Sequence, residues 1–132
     1  MEFQKDNSFI LGRLKSFKYA VQGAVKLIST EHSIMAQCTI AVLAILLGLF
    51  FDISRTDWMF QIFGIGLVLS IEGMNTAVEK IADFVHPNFH VEIGFIKDVA
   101  AGAVFFAAVS ALIIGLFIYV PHFGEFINQN FN

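Results

Sequence analysis

Charged residues are scarce in this chain. Of its 132 residues, 14% are charged and 57% are hydrophobic, and the mean hydropathy is +0.73. Soluble domains carry about one quarter charged residues, so an ordinary soluble domain is excluded and a membrane protein is predicted. The length allows one domain at most, over residues 1–132. Because a chain this short encloses little space, we expect several copies to pack together around any sizeable site.

Cysteine, proline and glycine-rich phosphate loops are also lacking. The single cysteine, Cys38, cannot form an intrachain disulfide. The two prolines, Pro87 and Pro121, are expected in a connection and at a helix end, where a missing N–H does least harm. No G-x-x-x-x-G-K-S/T loop is present, so a nucleotide would have to bind without that cradle. The amino terminus lacks the continuous apolar run of a cleaved signal peptide.

Long apolar stretches are what the chain does have. Three of them approach or reach the roughly 20 residues needed to cross hydrocarbon, at about 34–51, 58–78 and 99–120. The segment at about 8–30 instead alternates an apolar stripe with a basic face, which is typical of a helix lying on a membrane surface. The predicted fold is therefore an all-α membrane protein with three transmembrane helices and an N-terminal amphipathic surface helix. A plain positively charged anchor, without a role in substrate handling, fits the first segment equally well.

Lysine and arginine predict the orientation. Seven of the eight lie before the first stretch or between the second and third, and only Arg55 lies in the first connection. Positive charge accumulates on the cytosolic side of membrane proteins. We therefore expect the amino terminus and the loop from Lys80 to Lys97 in the cytosol.

Polar residues on the second stretch form a candidate site. Glu72, Asn75 and Glu79 stand at i, i+3 and i+7, which places them on one stripe of a helix, and Asp83 extends that stripe by a turn. Ionisable groups in hydrocarbon are costly and usually mark a functional site. Three further residues are expected at the same cytosolic level: Glu31, Lys97 and Asp98.

Phosphoryl transfer would use such a set of groups. Carboxylates bind Mg²⁺, a lysine binds phosphate, and a further carboxylate can accept a proton from an attacking hydroxyl. The spacing alone fits a cation or proton pathway through a small oligomeric channel or transporter equally well. The adjacent lysine and aspartate at positions 97 and 98 suit a nucleotide better than a cation path.

Two motifs carry a resemblance. The sequences I-E-G-M-N-T-A-V-E at positions 71–79 and K-D-V-A-A-G-A-V at positions 97–104 closely resemble the small integral-membrane diacylglycerol kinase and undecaprenol kinase family of bacteria. Further matches are S-F-K-Y-A at positions 16–20, Gly23, Glu31, Asp83 and His90. The resemblance covers roughly Ser16 to Val120.

The resemblance implies an ATP-dependent lipid kinase that works as a homotrimer with sites shared between subunits. It implies Mg²⁺ as cofactor, diacylglycerol or undecaprenol as lipid substrate, and a bacterial inner-membrane location with the amino terminus in the cytosol. No nucleic-acid partner is expected. The wording of the motifs favours the undecaprenol branch slightly. Departures from better-known diacylglycerol kinases leave the lipid open: Val21 replaces a tryptophan, Phe95 a basic residue and Ala101 a serine.

The resemblance also implies roles for the site residues. Glu72 matches the catalytic base that acts on the lipid hydroxyl, and Glu31 and Glu79 match the carboxylates that hold Mg²⁺. The remaining nucleotide-site positions are Asn75, Asp83, Lys97 and Asp98. Simpler interpretations remain for some: an exposed helix end for Glu79 and Asp83, a solvated residue for Glu31, and a hydrogen bond between helices for Asn75.

Overall fold

Four helices make up the structure. The computed structural model describes residues 9–131, except for the side chains of Ile10 and Phe131. Its helices are α1 (Phe9–Thr30), α2 (His32–Phe50), α3 (Arg55–Val85) and α4 (Val91–Phe131). This described part contains no β-strand, so the all-α prediction is confirmed. Lys5, Asn132 and the predicted first residue of the surface helix, Ser8, lie outside the described residues.

Three helices are long and apolar enough to cross a membrane: α2, α3, and α4 over Val91–Asn130. The predicted three apolar spans are therefore confirmed. Both α3 and α4 also continue beyond the predicted stretches, toward the connection at residues 86–90. With 31 residues, α3 is roughly 46 Å long at about 1.5 Å per residue. That exceeds the ~30 Å of hydrocarbon, so part of α3 lies outside it.

A local signal explains where α3 begins. At the start of α3, the Ser54 hydroxyl accepts a hydrogen bond from the Asp57 N–H at 3.1 Å, and the Asp57 carboxylate accepts one from the Ser54 N–H at 3.3 Å. This reciprocal capping box satisfies two backbone donors at the helix end. In contrast, Glu31 separates α1 from α2 with an extended backbone and makes no capping hydrogen bond through its side chain. That carboxylate is available for other contacts.

Small residues let the long helices approach one another. A Cβ built on Gly64 of α3 would lie 3.6 Å from Cβ of Ala111 in α4, and Ala107 is buried. A Cβ on Gly48 of α2 would lie only 2.9 Å from the Trp58 ring of α3. Glycine is therefore required at position 48 for the observed packing of α2 on α3.

Three residues, Ala44, Gln61 and Tyr119, form a polar clamp that joins α2, α3 and α4 through hydrogen bonds. The Tyr119 hydroxyl of α4 lies 2.9 Å from the Ala44 carbonyl oxygen of α2 and hydrogen-bonds Oε1 of Gln61 in α3. The Gln61 amide donates to the same carbonyl at 3.1 Å. Gln61 is buried, and within an apolar environment these hydrogen bonds fix the relative positions of the helices.

The predicted helix end at Pro121 is wrong, because α4 continues to Phe131. Proline removes the backbone N–H that would pair with the Phe117 carbonyl, and in the same turn Nδ1 of His122 donates to the neighbouring Ile118 carbonyl at 2.7 Å. The segment after the proline also packs on Phe51, with ring-centroid distances of 5.9 Å to His122, 4.8 Å to Phe123 and 6.2 Å to Phe126. These ring contacts, the Phe51 cluster, stabilise the helix past the proline.

An apolar groove of about 570 Å³ lies between α2, α3 and α4. The polar clamp closes one end of the groove, and Gln37 lines the other. Oε1 of Gln37 is buried without a hydrogen-bond partner. Many large apolar side chains of the spans remain exposed, among them Leu49, Phe63 and Phe106. Such a surface suits lipid or further copies of the chain rather than water.

Candidate active site

Burial decreases along the polar stripe of α3. Glu72 and Asn75 are buried, with 7% and 9% of their surface exposed. Glu79 is half-buried, and Asp83 is exposed. The stripe therefore runs from the interior of the helix bundle to its surface within three turns. Thr76, buried beside Asn75, was not among the predicted site residues.

Asn75 contacts Glu79 within the stripe. Its Nδ2 donates a hydrogen bond to Oε1 of Glu79 at 3.0 Å, as the i, i+4 spacing allows. The Asn75 Oδ1 atom is buried and has no partner. Leaving a buried acceptor unpaired costs about 1–3 kcal/mol. The bond lies within α3, so it does not fasten one helix to another.

Glu31 reaches the same region from the junction of α1 and α2. Its Oε1 accepts a hydrogen bond from the Thr30 hydroxyl at 3.2 Å and lies 3.3 Å from Nζ of Lys80. The end of α1 is held against α3, because a Cβ on Gly73 would meet Leu27 Cδ1 at 3.1 Å. Glu31 is thus placed beside the turn of α3 that carries Glu79, and it is not merely a solvated residue.

Lys80 was missed as a site residue by sequence reasoning. It was counted only toward orientation, although it directly follows Glu79 in an otherwise acidic stretch. A lone positive charge among carboxylates is the signal that could have identified it. Among residues 9–131 it forms one of two ion pairs near the carboxyl-terminal end of α3, the other being that of Lys97 with Asp83.

The second ion pair joins α4 to α3. The Lys97 ammonium contacts the Asp83 carboxylate, and their side chains are 34% and 60% exposed. Asp98 is exposed and belongs to neither ion pair. Successive helix residues point about 100° apart, so Asp98 faces a different direction from Lys97.

The carboxylates fit Mg²⁺ by their chemistry. Among residues 9–131, no three His, Cys, Asp or Glu side chains come together as a metal cage. Mg²⁺ is commonly bound by one or two carboxylates, with phosphate and water oxygens completing the shell. Glu31 and Glu79 carry oxygen donors suitable for that arrangement, and the unpaired Oδ1 atom belongs to Asn75, whose Nδ2 contacts Glu79.

Comparison with known proteins identifies the family. Residues 18–119 match the profile of the prokaryotic diacylglycerol kinases. The chain belongs to the prokaryotic diacylglycerol kinase family. All seven predicted site residues lie within the matched region, and the part of α4 beyond Tyr119, which packs on Phe51, lies outside it.

Individual relatives agree with this membership. The undecaprenol kinase of Bacillus subtilis (strain 168) is 35% identical over 118 residues, which cover 89% of this chain and 96% of that protein. The diacylglycerol kinase of Haemophilus influenzae is 29% identical over 94 residues, covering 71% and 80%. The diacylglycerol kinase of Escherichia coli (strain K12) is 24% identical over 111 residues, covering 84% and 91%. This family member is thus a membrane-associated lipid kinase, and the channel alternative has no support among these relatives.

Proposed function

We propose that the enzyme transfers the γ-phosphoryl group of ATP to the hydroxyl of a membrane lipid at the cytosolic face of the bacterial inner membrane. The observation that carries this proposal is the stripe from buried Glu72 to half-buried Glu79, with a lysine–carboxylate pair on either side. A lipid alcohol approaches from the bilayer and a nucleotide from water. We place the buried end of the stripe in the bilayer and its exposed end in water, so that the two substrates would meet along it.

Glu72 is the proposed base. Its carboxylate takes the proton from the lipid hydroxyl, and the resulting oxygen attacks the γ-phosphorus as the bond to the ADP oxygen breaks. Burial of Glu72 supports this role, because the attacking hydroxyl belongs to a molecule held in the membrane. The exposed carboxylates of the site suit a water-borne substrate instead.

Glu31 and Glu79 are the proposed ligands of Mg²⁺. When bound, the ion neutralises charge on the nucleotide phosphates. Asn75 orients Glu79 through its hydrogen bond of 3.0 Å. Lys97 is the proposed phosphate contact, and Asp83 holds its ammonium in place. Asp98 is proposed to contact the nucleotide on the exposed side of α4.

Undecaprenol is the lipid that we propose ahead of diacylglycerol. The relative named undecaprenol kinase shares 35% identity with this chain, whereas the diacylglycerol kinases from H. influenzae and E. coli share 29% and 24%. The residues of the two motifs, at positions 71–79 and 97–104, also favour undecaprenol.

The proposed assembly is a homotrimer in which α1 lies on the cytosolic membrane surface. Apolar side chains of α1 are exposed in the single chain, with 61% for Leu14, 71% for Phe17 and 50% for Ile28. Lipid or a neighbouring subunit would cover them. We propose that the sites are shared between neighbouring subunits, as the family resemblance implies.

One assay tests the proposed activity. Purified protein in mixed micelles is given labelled ATP and Mg²⁺ with undecaprenol, with diacylglycerol, or without lipid. We expect label in the lipid phase with either alcohol, at a higher kcat/KM for undecaprenol, and none without lipid. Faster labelling of diacylglycerol would reverse the lipid assignment, and the absence of labelled lipid in both would refute the kinase proposal.

A further inference from the structure

Lys80 carries an inference that rests on the proposed function. It lies on α3 directly after Glu79, yet its ammonium contacts Glu31 across the α1–α2 junction at 3.3 Å. The Lys80 side chain is 69% exposed, whereas that of Glu31 is 22% exposed. An exposed ammonium therefore neutralises a more buried carboxylate.

Two lysines in this region each form an ion pair with a carboxylate. Lys97 pairs with Asp83, and Lys80 pairs with Glu31. Both carboxylates are in the set proposed to receive the metal–nucleotide complex. If neither that complex nor the lysine were present, each carboxylate would be an uncompensated negative charge near the membrane interface. Of the two, only Lys80 pairs with a proposed metal ligand, so its ammonium occupies the position at Glu31 that the positive charge of the metal would take.

We propose that Lys80 is a nucleotide-binding residue that holds Glu31 in the empty site and contacts an ATP phosphate in the filled one. An ion pair this exposed is weak, so exchange of the ammonium for Mg²⁺ at Glu31 costs little. A lysine ammonium on a flexible four-carbon stem can move to a new partner and binds phosphate as a point charge. Because Lys80 adjoins Glu79, its ammonium would lie within reach of the phosphates of a nucleotide whose metal Glu31 and Glu79 would hold.

Two properties follow from this exchange. Lys80 opposes binding of a bare divalent cation at Glu31, since ammonium and metal compete for one carboxylate. Lys80 also favours nucleotides with more phosphate charge. A purely structural ion pair would do neither, because it would hold α1 on α3 irrespective of the nucleotide.

Equilibrium binding to the full chain in micelles tests both properties without relying on turnover. The variants are Lys80→Gln and Lys80→Arg, with Arg55→Gln as a matched loss of charge at the opposite end of α3. Affinities for ATP and AMP are measured by titration calorimetry in Mg²⁺, and Mn²⁺ binding without nucleotide is followed by electron paramagnetic resonance.

We expect Lys80→Gln to lower the ratio of ATP to AMP affinity about tenfold, the size of one lost charge-assisted contact. The same variant should bind Mn²⁺ more tightly than the parent, and Lys80→Arg and Arg55→Gln should match the parent in the ratio. The ratio can be read on whatever fraction of a variant is folded. An unchanged ratio in Lys80→Gln overturns the inference even if ATP and AMP both bind more weakly. If the parent itself binds no ATP, the proposed function fails instead.

Discussion

The Asn75 side-chain amide donates to Glu79 at 3.0 Å while its carbonyl oxygen stays buried and unpaired. Proteins seldom retain an unpaired buried acceptor without a functional reason, because it costs about 1–3 kcal/mol. The Nδ2 hydrogen bond orients the Glu79 carboxylate, and the Oδ1 atom remains able to accept a hydrogen bond.

Replacing Asn75 by Leu should separate stability from activity. The substitution keeps the approximate volume and removes the unpaired oxygen, which offsets the lost hydrogen bond. We expect the free energy of unfolding to change by less than about 1 kcal/mol, while turnover falls at least about tenfold as Glu79 loses its orienting partner. Thermal unfolding in micelles and a lipid phosphorylation assay measure the two effects. A variant as active as the parent would show that the pair is structural.

Glu72→Gln should abolish transfer and leave nucleotide binding and assembly largely intact. The amide is nearly the same size as the carboxylate but cannot accept the hydroxyl proton. Labelled ATP and the lipid measure turnover, and size-exclusion chromatography and ATP titration check that the protein is intact. Turnover above about one tenth of the parent rate would remove Glu72 from the role of base.

Glu79→Gln should raise the Mg²⁺ requirement and weaken ATP binding together, because metal and nucleotide bind as one unit. The measurement is KM for ATP over a range of Mg²⁺ concentrations. Glu92→Gln, an exposed carboxylate in the first turn of α4, serves as control. If the Mg²⁺ dependence of Glu79→Gln equals that of the parent, Glu79 is not a metal ligand.

Gly48→Ala should destabilise the protein by about 1–3 kcal/mol. Its new Cβ would sit 2.9 Å from the Trp58 ring, which cannot retreat without disturbing the contact of α2 with α3. Gly124→Ala is the matched control, because a Cβ there meets nothing within 4 Å. Thermal unfolding of both variants decides, and equal melting temperatures would contradict the packing of Trp58 on Gly48.

The orientation can be tested with a cysteine at Asn88, in a background in which Cys38 is replaced. Asn88 lies in the exposed connection between α3 and α4. An impermeant thiol reagent should label it in inverted vesicles and leave it protected in right-side-out ones, as the distribution of lysine and arginine predicts. Labelling from outside would place the candidate site on the wrong side for cytosolic ATP.

Local patterns predicted much of this molecule. The three long apolar helices follow from span length, and the stripe from Glu72 to Asp83 follows from helical periodicity. The contacts between distant residues could not be predicted in this way. Tyr119 and Gln61 are 58 positions apart, and Lys80 pairs with Glu31, which precedes α2 in the sequence. Such pairings arise from tertiary packing, which no local pattern records.

The length of α4 was also beyond local reasoning. Pro121 predicts a helix end when only its missing N–H and ring are considered. Phe51, at the end of α2, contacts the rings of Phe123 and Phe126 that follow the proline, and these contacts outweigh that preference. A contact with a distant part of the chain therefore supports the helix beyond Pro121.

The two ends of the helix bundle differ: the polar clamp joins α2, α3 and α4 at one end, and a single residue, Glu31, separates α1 from α2 at the other. Ala44, Gln61 and Tyr119 tie the long helices together far from the candidate site. At the other end, α1 connects to α2 through Glu31 alone. Glu31, with its extended backbone, thus sets the direction in which the 22 residues of α1 leave the other three helices, and a change in its two backbone angles would redirect the whole of α1.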